Sequence, residues 1–162
     1  MNINEALNQK ERMYIIAEIG INHGKDLNKA KELIAASAEA GADAVKFQLI
    51  HPEQLFNKFT FEDGMKNVNP SISVFENYSL SDENFLELSE FANQRLIDFL
   101  CTPFDFGGVD FLDELVSAHK ISSGDITHLP MLKYIGSKKK PVILSTGMAD
   151  LSNVRHALTA IK

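Results

Sequence analysis

Short apolar segments alternate with amphipathic ones along this sequence, and the alternation restricts the folds that the chain can adopt. Five segments rich in β-branched and aromatic residues are predicted strands, at 13–19, 44–50, 96–101, 118–122 and 141–146. Each is followed, directly or after an insertion, by a segment with helical spacing of its apolar residues: 26–42, 81–95, 105–115, 128–137 and 150–162. Strands joined by helices pair in parallel through right-handed crossovers. The sequence therefore predicts an α/β protein built on a parallel sheet.

Two parallel architectures fit this pattern, an open doubly wound sheet and part of a (β/α)8 TIM barrel. No G-x-G-x-x-G run follows the first strand, which argues against a Rossmann nucleotide site. An open sheet concentrates its site at one switch point, whereas a barrel uses the carboxyl ends of many strands. Here every strand end carries polar residues: Glu18, Lys46, Gln48, Thr102, Lys120, Ser123, Ser145 and Thr146. This distribution favours the barrel.

The chain is short for a complete barrel. It has 162 residues, whereas a full barrel needs about 250. We expect one partial domain, residues 1–162, holding about five of the eight βα units, with two unpaired strand edges. Asp26 and Ser81 are predicted helix starts, and Gly41 a helix end. Residues 51–80 show no clear period, and such an irregular insertion is usually functional or disordered.

Charge and composition exclude several classes of partner. The net charge is −6 and the only basic run is 138–140, so we expect no nucleic-acid binding. The single cysteine, Cys101, cannot form an internal disulfide, which indicates a reducing compartment. The polar N-terminal segment "MNINEALNQKER" has no apolar signal core, and no stretch approaches a membrane span. We therefore expect a cytoplasmic protein without membrane contact.

Two lysines at the ends of nonadjacent strands are the strongest candidates for a binding site. Lys46 and Lys120 could both point across the mouth of a barrel, and each buried ammonium group needs an anion. That anion could be the carboxylate of Glu18, or a phosphate or carboxylate of a substrate. Gln48 lies on the same strand face as Lys46. Phosphate oxygens are suited to the hydroxyls and backbone N–H groups nearby, at Thr102, Ser123, Gly124, Ser145 and Gly147.

Four long motifs in series resemble the N-terminal half of the sialic acid synthase family. They are "IIAEIGINHGKDLNKAKELIAASAEAGADAVKFQ", "CTPFD", "KISSGDITHLPML" and "KPVILSTGM", in matching order and spacing over residues 13–162. The family includes N-acetylneuraminate synthases and the related legionaminic acid, pseudaminic acid and spore-coat polysaccharide synthases. The resemblance implies a TIM barrel whose remaining units, and a C-terminal antifreeze-like domain, are absent from this sequence.

The resemblance implies a phosphoenolpyruvate-dependent condensation. The enol carbon would attack the aldehyde of an open-chain N-acetylated amino sugar of the N-acetylmannosamine type, giving a nine-carbon 2-keto sugar acid. In the family a divalent metal, Mn²⁺ or Mg²⁺, polarises the aldehyde through two histidines on later strands, which this chain lacks. Full-length members are expected to form homodimers in which the antifreeze-like domain supplies an arginine to the partner's site. We expect this chain to be inactive alone.

The resemblance also assigns roles to individual residues. The phosphoenolpyruvate-binding positions are Lys46, Thr102, Lys120, Ser123 and Ser145, and Glu18 matches an acidic residue for proton handling. Glu18, Lys46 and Lys120 are therefore the candidate catalytic residues. Gln48 and Asn69 match sugar-contacting positions, and Asp125 stands where the family usually has glutamate.

The histidines are expected to be structural. His23, in "GINHG", is expected to order the loop beside Glu18. The remaining four lack metal-ligand spacing and are assigned no chemistry: His51, His119, His128 and His156.

Two other functions remain open at this point. A Schiff-base aldolase on the same barrel type would use Lys46 or Lys120 as its nucleophile. A non-catalytic remnant would only bind an anion or assemble with another chain.

Overall fold

The computed structural model describes residues 3–8 and 13–162 of the chain. In chain order, the strands are β1 Ile16–Gly20, β2 Ala44–Leu49, β3 Phe59–Glu62, β4 Met65–Val68, β5 Asp98–Pro103, β6 His119–Ile121 and β7 Val142–Leu144. The helices are α1 Ile3–Asn8, α2 Leu27–Glu39, α3 Pro52–Leu55, α4 Pro70–Glu76, α5 Asp82–Gln94, α6 Phe106–Asp113, α7 Leu129–Ser137 and α8 Leu151–Ile161, with a 3₁₀ turn at Ser123–Asp125. All five predicted strands and their five helices are present.

Parallel pairing joins the five predicted strands in two groups. One sheet has the order β1-β2-β5, and its register sets Glu18 beside Lys46 and Gln48 beside Thr102. The other pairs β6 with β7, with Lys120 beside Ile143. β6 packs next to β5 without a shared ladder of strand hydrogen bonds. The strands therefore form an arc, and the sheet is not closed in the described residues.

Helices cover the outer face of this arc. Side chains alternate along a strand, so Val45 and Phe47 point to the face opposite Lys46. Phe47 stacks on Phe99 at a ring-centroid distance of 5.6 Å and meets Phe85 of α5 edge-on at 6.4 Å. A second buried cluster joins β6 and β7 to α7 and α8. This packing holds the five strand ends in fixed relative positions.

The N-terminal helix covers the lower end of the inner face. Ile3 is buried against Ala44, Leu100 and Ala118. The backbone N–H of Ile3 donates to Asp98 Oδ2 at 3.0 Å, and the Tyr14 hydroxyl donates to the same oxygen at 2.5 Å. α1 is not among the predicted helices. The apolar side chains that it contacts lie on or beside strands distant in the sequence, so no local pattern indicates this helix.

Helix ends follow the sequence signals. The Asp26 side chain accepts hydrogen bonds from the backbone N–H groups of Asn28 and Lys29, as predicted for the start of α2. Ser81 begins α5 with a capping box that it shares with Asn84. Gly41 follows the end of α2 with a φ of +82°, the left-handed conformation that favours glycine. These predictions are confirmed.

The insertion at 51–80 is regular rather than irregular, which corrects the sequence prediction. It contains α3, an antiparallel hairpin of β3 and β4, and α4. Asp63 and Gly64 turn the hairpin with φ values of +51° and +78°, as a two-residue type I′ turn requires. The Asp-Gly pair was the available signal, but the hairpin strands are only four residues long.

None of the helices in residues 3–8 and 13–162 is both long and apolar enough to cross a membrane.

Leu96 provides a test of backbone strain. It follows the end of α5 with a φ of +57° and a side chain that is 94% exposed, so its packing does not compensate for the left-handed conformation. We expect Leu96→Gly to stabilise the protein by about 0.5–1 kcal/mol, measured by chemical unfolding followed by circular dichroism. The matched control, Leu86→Gly inside α5, should destabilise it by about 1 kcal/mol. Destabilisation by both variants would contradict this account.

Candidate active site

Lys46 occupies the centre of the inner face. Its side chain is only 8% exposed, and its Nζ lies 2.6 Å from Oε2 of Glu18. The same Nζ donates to the Thr102 hydroxyl at 3.3 Å. The three residues come from adjacent strands, β1, β2 and β5. The register of the sheet thus supplies both partners of this buried ammonium group.

Lys120 approaches the same space from β6. Its Nζ donates to the Ser145 hydroxyl at 2.6 Å and to the Ile121 carbonyl at 2.7 Å. No carboxylate of the described residues forms an ion pair with it. Burial lowers the pKa of Lys120, repulsion by Lys46 lowers it further, and the Glu18 carboxylate partly opposes both effects. β6, which carries Lys120, packs against β5, and β5 pairs with β2, which carries Lys46.

The loops after β6 and β7 meet above Lys120. A Cβ atom placed on Gly147 would lie 3.4 Å from Oγ of Ser123, so the two loops approach closely at that point. The 3₁₀ turn is begun by Ser122, whose Oγ accepts the Gly124 N–H at 3.3 Å. Asp125 ends this turn half-buried, and burial raises the pKa of its carboxyl group, with His128 partly opposing the shift.

Gln48 and Asn69 have different surroundings. Gln48 lies two residues beyond Lys46, on the same face of β2, and the strand register places it beside Thr102. Asn69 begins α4, where its Oδ1 accepts the Ser71 N–H at 3.0 Å and its Nδ2 donates to the Asn57 carbonyl at 3.0 Å. Its amide group is thus used to order the insertion.

His23 orders the loop after β1. It is buried, and its Nδ1 accepts the Lys25 N–H at 3.1 Å. Its ring lies 6.0 Å from that of Phe47 on the outer face of the sheet. Burial, and secondarily Lys29, lowers the pKa of His23, so the ring is held neutral.

His51, to which the sequence assigns no role, joins the starts of two helices. Its Nδ1 lies 2.8 Å from Asp105 Oδ2 and its Nε2 3.0 Å from Asp82 Oδ1. Asp105 also accepts the Gly108 N–H as the cap of α6. The two aspartates stand 31 and 54 residues from His51, so no local pattern reveals the bridge.

The cleft beside His51 is separate from the group formed by Glu18, Lys46 and Lys120, here called the lysine cluster. It has a volume of about 690 Å³ and is lined in part by Glu53, Phe106 and His128. None of Glu18, Lys46 and Lys120 lines it. The charges of the lysine cluster, rather than the size of this cleft, mark the candidate active site.

The described residues contain no group of three His, Cys, Asp or Glu side chains that could hold a metal ion.

Comparison with protein families and curated proteins finds synthases of acidic sugars. A profile of the NeuB family matches residues 33–162. The N,N'-diacetyllegionaminic acid synthase of Legionella pneumophila is 47% identical over 156 residues, which cover 92% of this chain and 44% of the relative. Human N-acetylneuraminate-9-phosphate synthase is 32% identical, over 92% of this chain and 43% of the relative. The chain spans less than half the length of these relatives.

Solved structures show the same relationship. The sialic acid synthetase of Leptospira borgpetersenii, crystallised with citrate, superposes with a TM-score of 0.82 at 33% identity, covering 93% of this chain and 50% of that one. The spore coat polysaccharide biosynthesis protein SpsE of Bacillus subtilis gives 0.77 at 38% identity, covering 94% and 41%. The predicted fold class, a partial α/β barrel, is confirmed.

The His51 bridge predicts a pH-dependent contribution to stability. Burial opposes the charge on His51, but the hydrogen bonds to Asp82 and Asp105 outweigh it and raise the pKa of the imidazole. A histidine whose pKa is raised in the folded state stabilises the protein. This contribution is fully present below the unfolded-state pKa of about 6.5 and is lost as pH rises through the folded-state pKa.

We expect His51→Gln to lower the free energy of unfolding by about 1 kcal/mol more at pH 5.5 than at pH 8.5. This amount is discounted for the exposure of Asp82 to solvent. Urea unfolding of both proteins at the two pH values gives the measurement. The exposed His156→Gln of α8 is the control and should show no such difference. An equal cost of His51→Gln at both pH values would show that the bridge is not charged.

Proposed function

Since the chain belongs to the NeuB family, we propose that it forms the phosphoenolpyruvate-binding part of a sialic-acid-type synthase. Its curated relatives include synthases of sialic, legionaminic and pseudaminic acids. The proposed reaction joins phosphoenolpyruvate to the aldehyde of an open-chain N-acetylated amino sugar, of the N-acetylmannosamine type. The product is a nine-carbon 2-keto sugar acid.

The observation that supports this proposal is the convergence of two lysines, only one of which is paired with a carboxylate. Lys46 is already balanced by Glu18 at 2.6 Å, whereas Lys120 has no carboxylate partner among the described residues. The site therefore carries an uncompensated ammonium group, and it offers hydroxyl groups around it. A small acid with a carboxylate and a phosphate supplies what this arrangement lacks.

The side chains divide the work as follows. Lys120 supplies the uncompensated charge to phosphoenolpyruvate, Lys46 contacts it while paired with Glu18, and the hydroxyls of Thr102, Ser123 and Ser145 orient its oxygens. The enol carbon attacks the aldehyde carbon, and the aldehyde oxygen takes up a proton. Water adds at C2, phosphate leaves with cleavage of the C–O bond, and C2 becomes the ketone.

Glu18 is proposed to handle the proton in this sequence. Its carboxylate accepts from Lys46, while its side chain is about half exposed at the rim and can take a proton from the attacking water.

The sugar is assigned to the outer part of the mouth. Gln48 faces this region from β2, and Asp125 lies in the turn above Lys120. Asp125 is one carbon shorter than the glutamate usual in the family, so its carboxylate reaches less far toward the sugar. Asn69 can contact the sugar only by giving up its hydrogen bonds to Ser71 and Asn57.

Other features of the proposal come from the resemblance. A divalent cation, Mn²⁺ or Mg²⁺, is assigned to histidines outside this sequence, where it would polarise the aldehyde. A cytoplasmic homodimer is proposed for the full-length form, and we propose that residues 1–162 bind phosphoenolpyruvate without turnover.

A Schiff-base aldolase is the second candidate, and one observation favours it. The lowered pKa of Lys120 increases the fraction of neutral amine, which is the nucleophilic form. Lys46 is less suited to this role because it is held by Glu18.

Binding of phosphoenolpyruvate tests the first proposal. Calorimetric titration of the chain at pH 7 should show binding, and Lys120→Ala should weaken it at least about tenfold, because a charge-assisted contact is lost. Binding should also weaken as pH rises through the lowered pKa of Lys120. Lys139→Ala, at an exposed turn, is the control. No binding by the wild-type chain, or equal binding by Lys120→Ala, would contradict the proposal.

Reductive trapping separates the two candidates. Incubation with pyruvate and borohydride, followed by mass spectrometry, should leave the chain unmodified if the lysines act only by charge. A covalent adduct that is present in the wild-type chain and lost in Lys120→Ala would instead identify a Schiff-base aldolase.

A further inference from the structure

The hairpin of β3 and β4 has a free edge. Lys58 accepts the backbone N–H of Asn69, and the register pairs Thr60 with Asn67 and Glu62 with Met65. Hydrogen-bonded pairs alternate along an antiparallel ladder, so the backbone groups of Phe59 and Phe61 point away from β4. Among the residues that the structure describes, no strand pairs with this edge of β3.

The side chains along this edge are exposed and have few contacts. Phe59 is 36% exposed and Phe61 is 70% exposed. Lys66 of β4 lies over the Phe59 ring, 3.7 Å from its centroid. Lys58 and Glu62 are exposed, and neither forms an ion pair within the described ranges.

When the edge segment is paired antiparallel with a copy of itself, complementary residues lie opposite one another. Around Thr60 it reads Lys58, Phe59, Thr60, Phe61, Glu62, so inversion about Thr60 exchanges the two phenylalanines and the two opposite charges. An antiparallel strand of the same sequence would therefore match it at every position.

We propose that β3 pairs with β3 of a second copy of this chain, antiparallel and about a two-fold axis at Thr60. Phe59 of each copy then lies opposite Phe61 of the other, and their outward backbone groups exchange hydrogen bonds. Lys58 lies opposite Glu62 of the other copy, and the two Thr60 side chains face each other. Aromatic, opposite-charge and threonine pairs are the cross-strand pairs that stabilise antiparallel sheets.

Charge selects this register over its neighbours. A shift of one residue would oppose outward backbone groups to groups already bonded within the hairpin. The next shifts that keep the bonding pattern put Lys58 opposite Thr60 or Gly64 of the other copy, and both ion pairs are lost. The edge of β4 offers no equivalent, because inversion about Asn67 sets Lys66 opposite Val68. The result is a four-stranded sheet of order β4-β3-β3-β4.

A charge-swap series tests the register. Sedimentation of the chain over a range of concentrations should show a dimer. Lys58→Glu and Glu62→Lys should each raise the dimer dissociation constant about tenfold or more, because each creates two like-charge pairs across the axis. The double variant should restore it to within about threefold. Lys133→Glu, an exposed site on α7, is the control for net charge.

Restoration by the double variant is the decisive outcome, since association through any other surface would not be rescued by reversing both charges. A monomeric wild-type chain, single variants that dimerise like the wild type, or a double variant as weak as the single ones would overturn the proposal. Circular dichroism of each variant establishes that it is folded.

A cross-link tests the position of the axis. Two Thr60 residues in a non-hydrogen-bonded pair would have Cα atoms about 4.5 Å apart, within the range for a disulfide. Under mild oxidation Thr60→Cys should form a covalent dimer, while Asn67→Cys, beside it on β4, should not. Cys101 is buried and does not compete. Equal cross-linking of the two variants, or none by Thr60→Cys, would overturn the proposed pairing.

Discussion

The burial of the Lys46 ammonium group is the constraint on which the inner face of the sheet depends. Removing the partner carboxylate would leave this buried charge uncompensated, at a cost that the half-exposed position of Glu18 reduces below that of a fully buried pair. The partner, Glu18, is positioned by the parallel register of β1 and β2, and the Thr102 hydroxyl by that of β2 and β5. A register slip of one residue would turn these side chains to the helix-covered face. Burial, and secondarily the charge of Lys46, lowers the pKa of Lys120, while the carboxylate of Glu18 opposes the shift.

The sequence predicts the elements that depend on local patterns. The five strands are apolar runs bounded by polar residues, and Asp26 and Ser81 mark helix starts through bonds that span two or three residues. The convergence of Lys46 and Lys120 is predicted from the alternation of strands and helices, which brings all carboxyl ends to one rim. The roles of the site residues in catalysis rest on family resemblance and stay predictions.

What the sequence does not predict depends on contacts between distant residues. His51 bridges Asp82 and Asp105, and α1 is held by Asp98, about 95 residues away. The insertion was misjudged for a different reason, since its strands are too short for a clear period. Leu96 shows that a left-handed position need not carry glycine, so its backbone conformation does not follow from its residue type, although the end of α5 is predicted within one residue. For His51 and α1, contacts between residues distant in the sequence, rather than local preference, determine the structure.

The apolar floor beneath the lysines has an electrostatic consequence. Ile3, Ala44, Leu100 and Ala118 fill the lower end of the inner face, and α1 separates it from solvent. A low-dielectric wall on one side directs the field of the ammonium groups outward through the opposite end. A chain with a net charge of −6 can thus present a local positive potential at one end of its inner face.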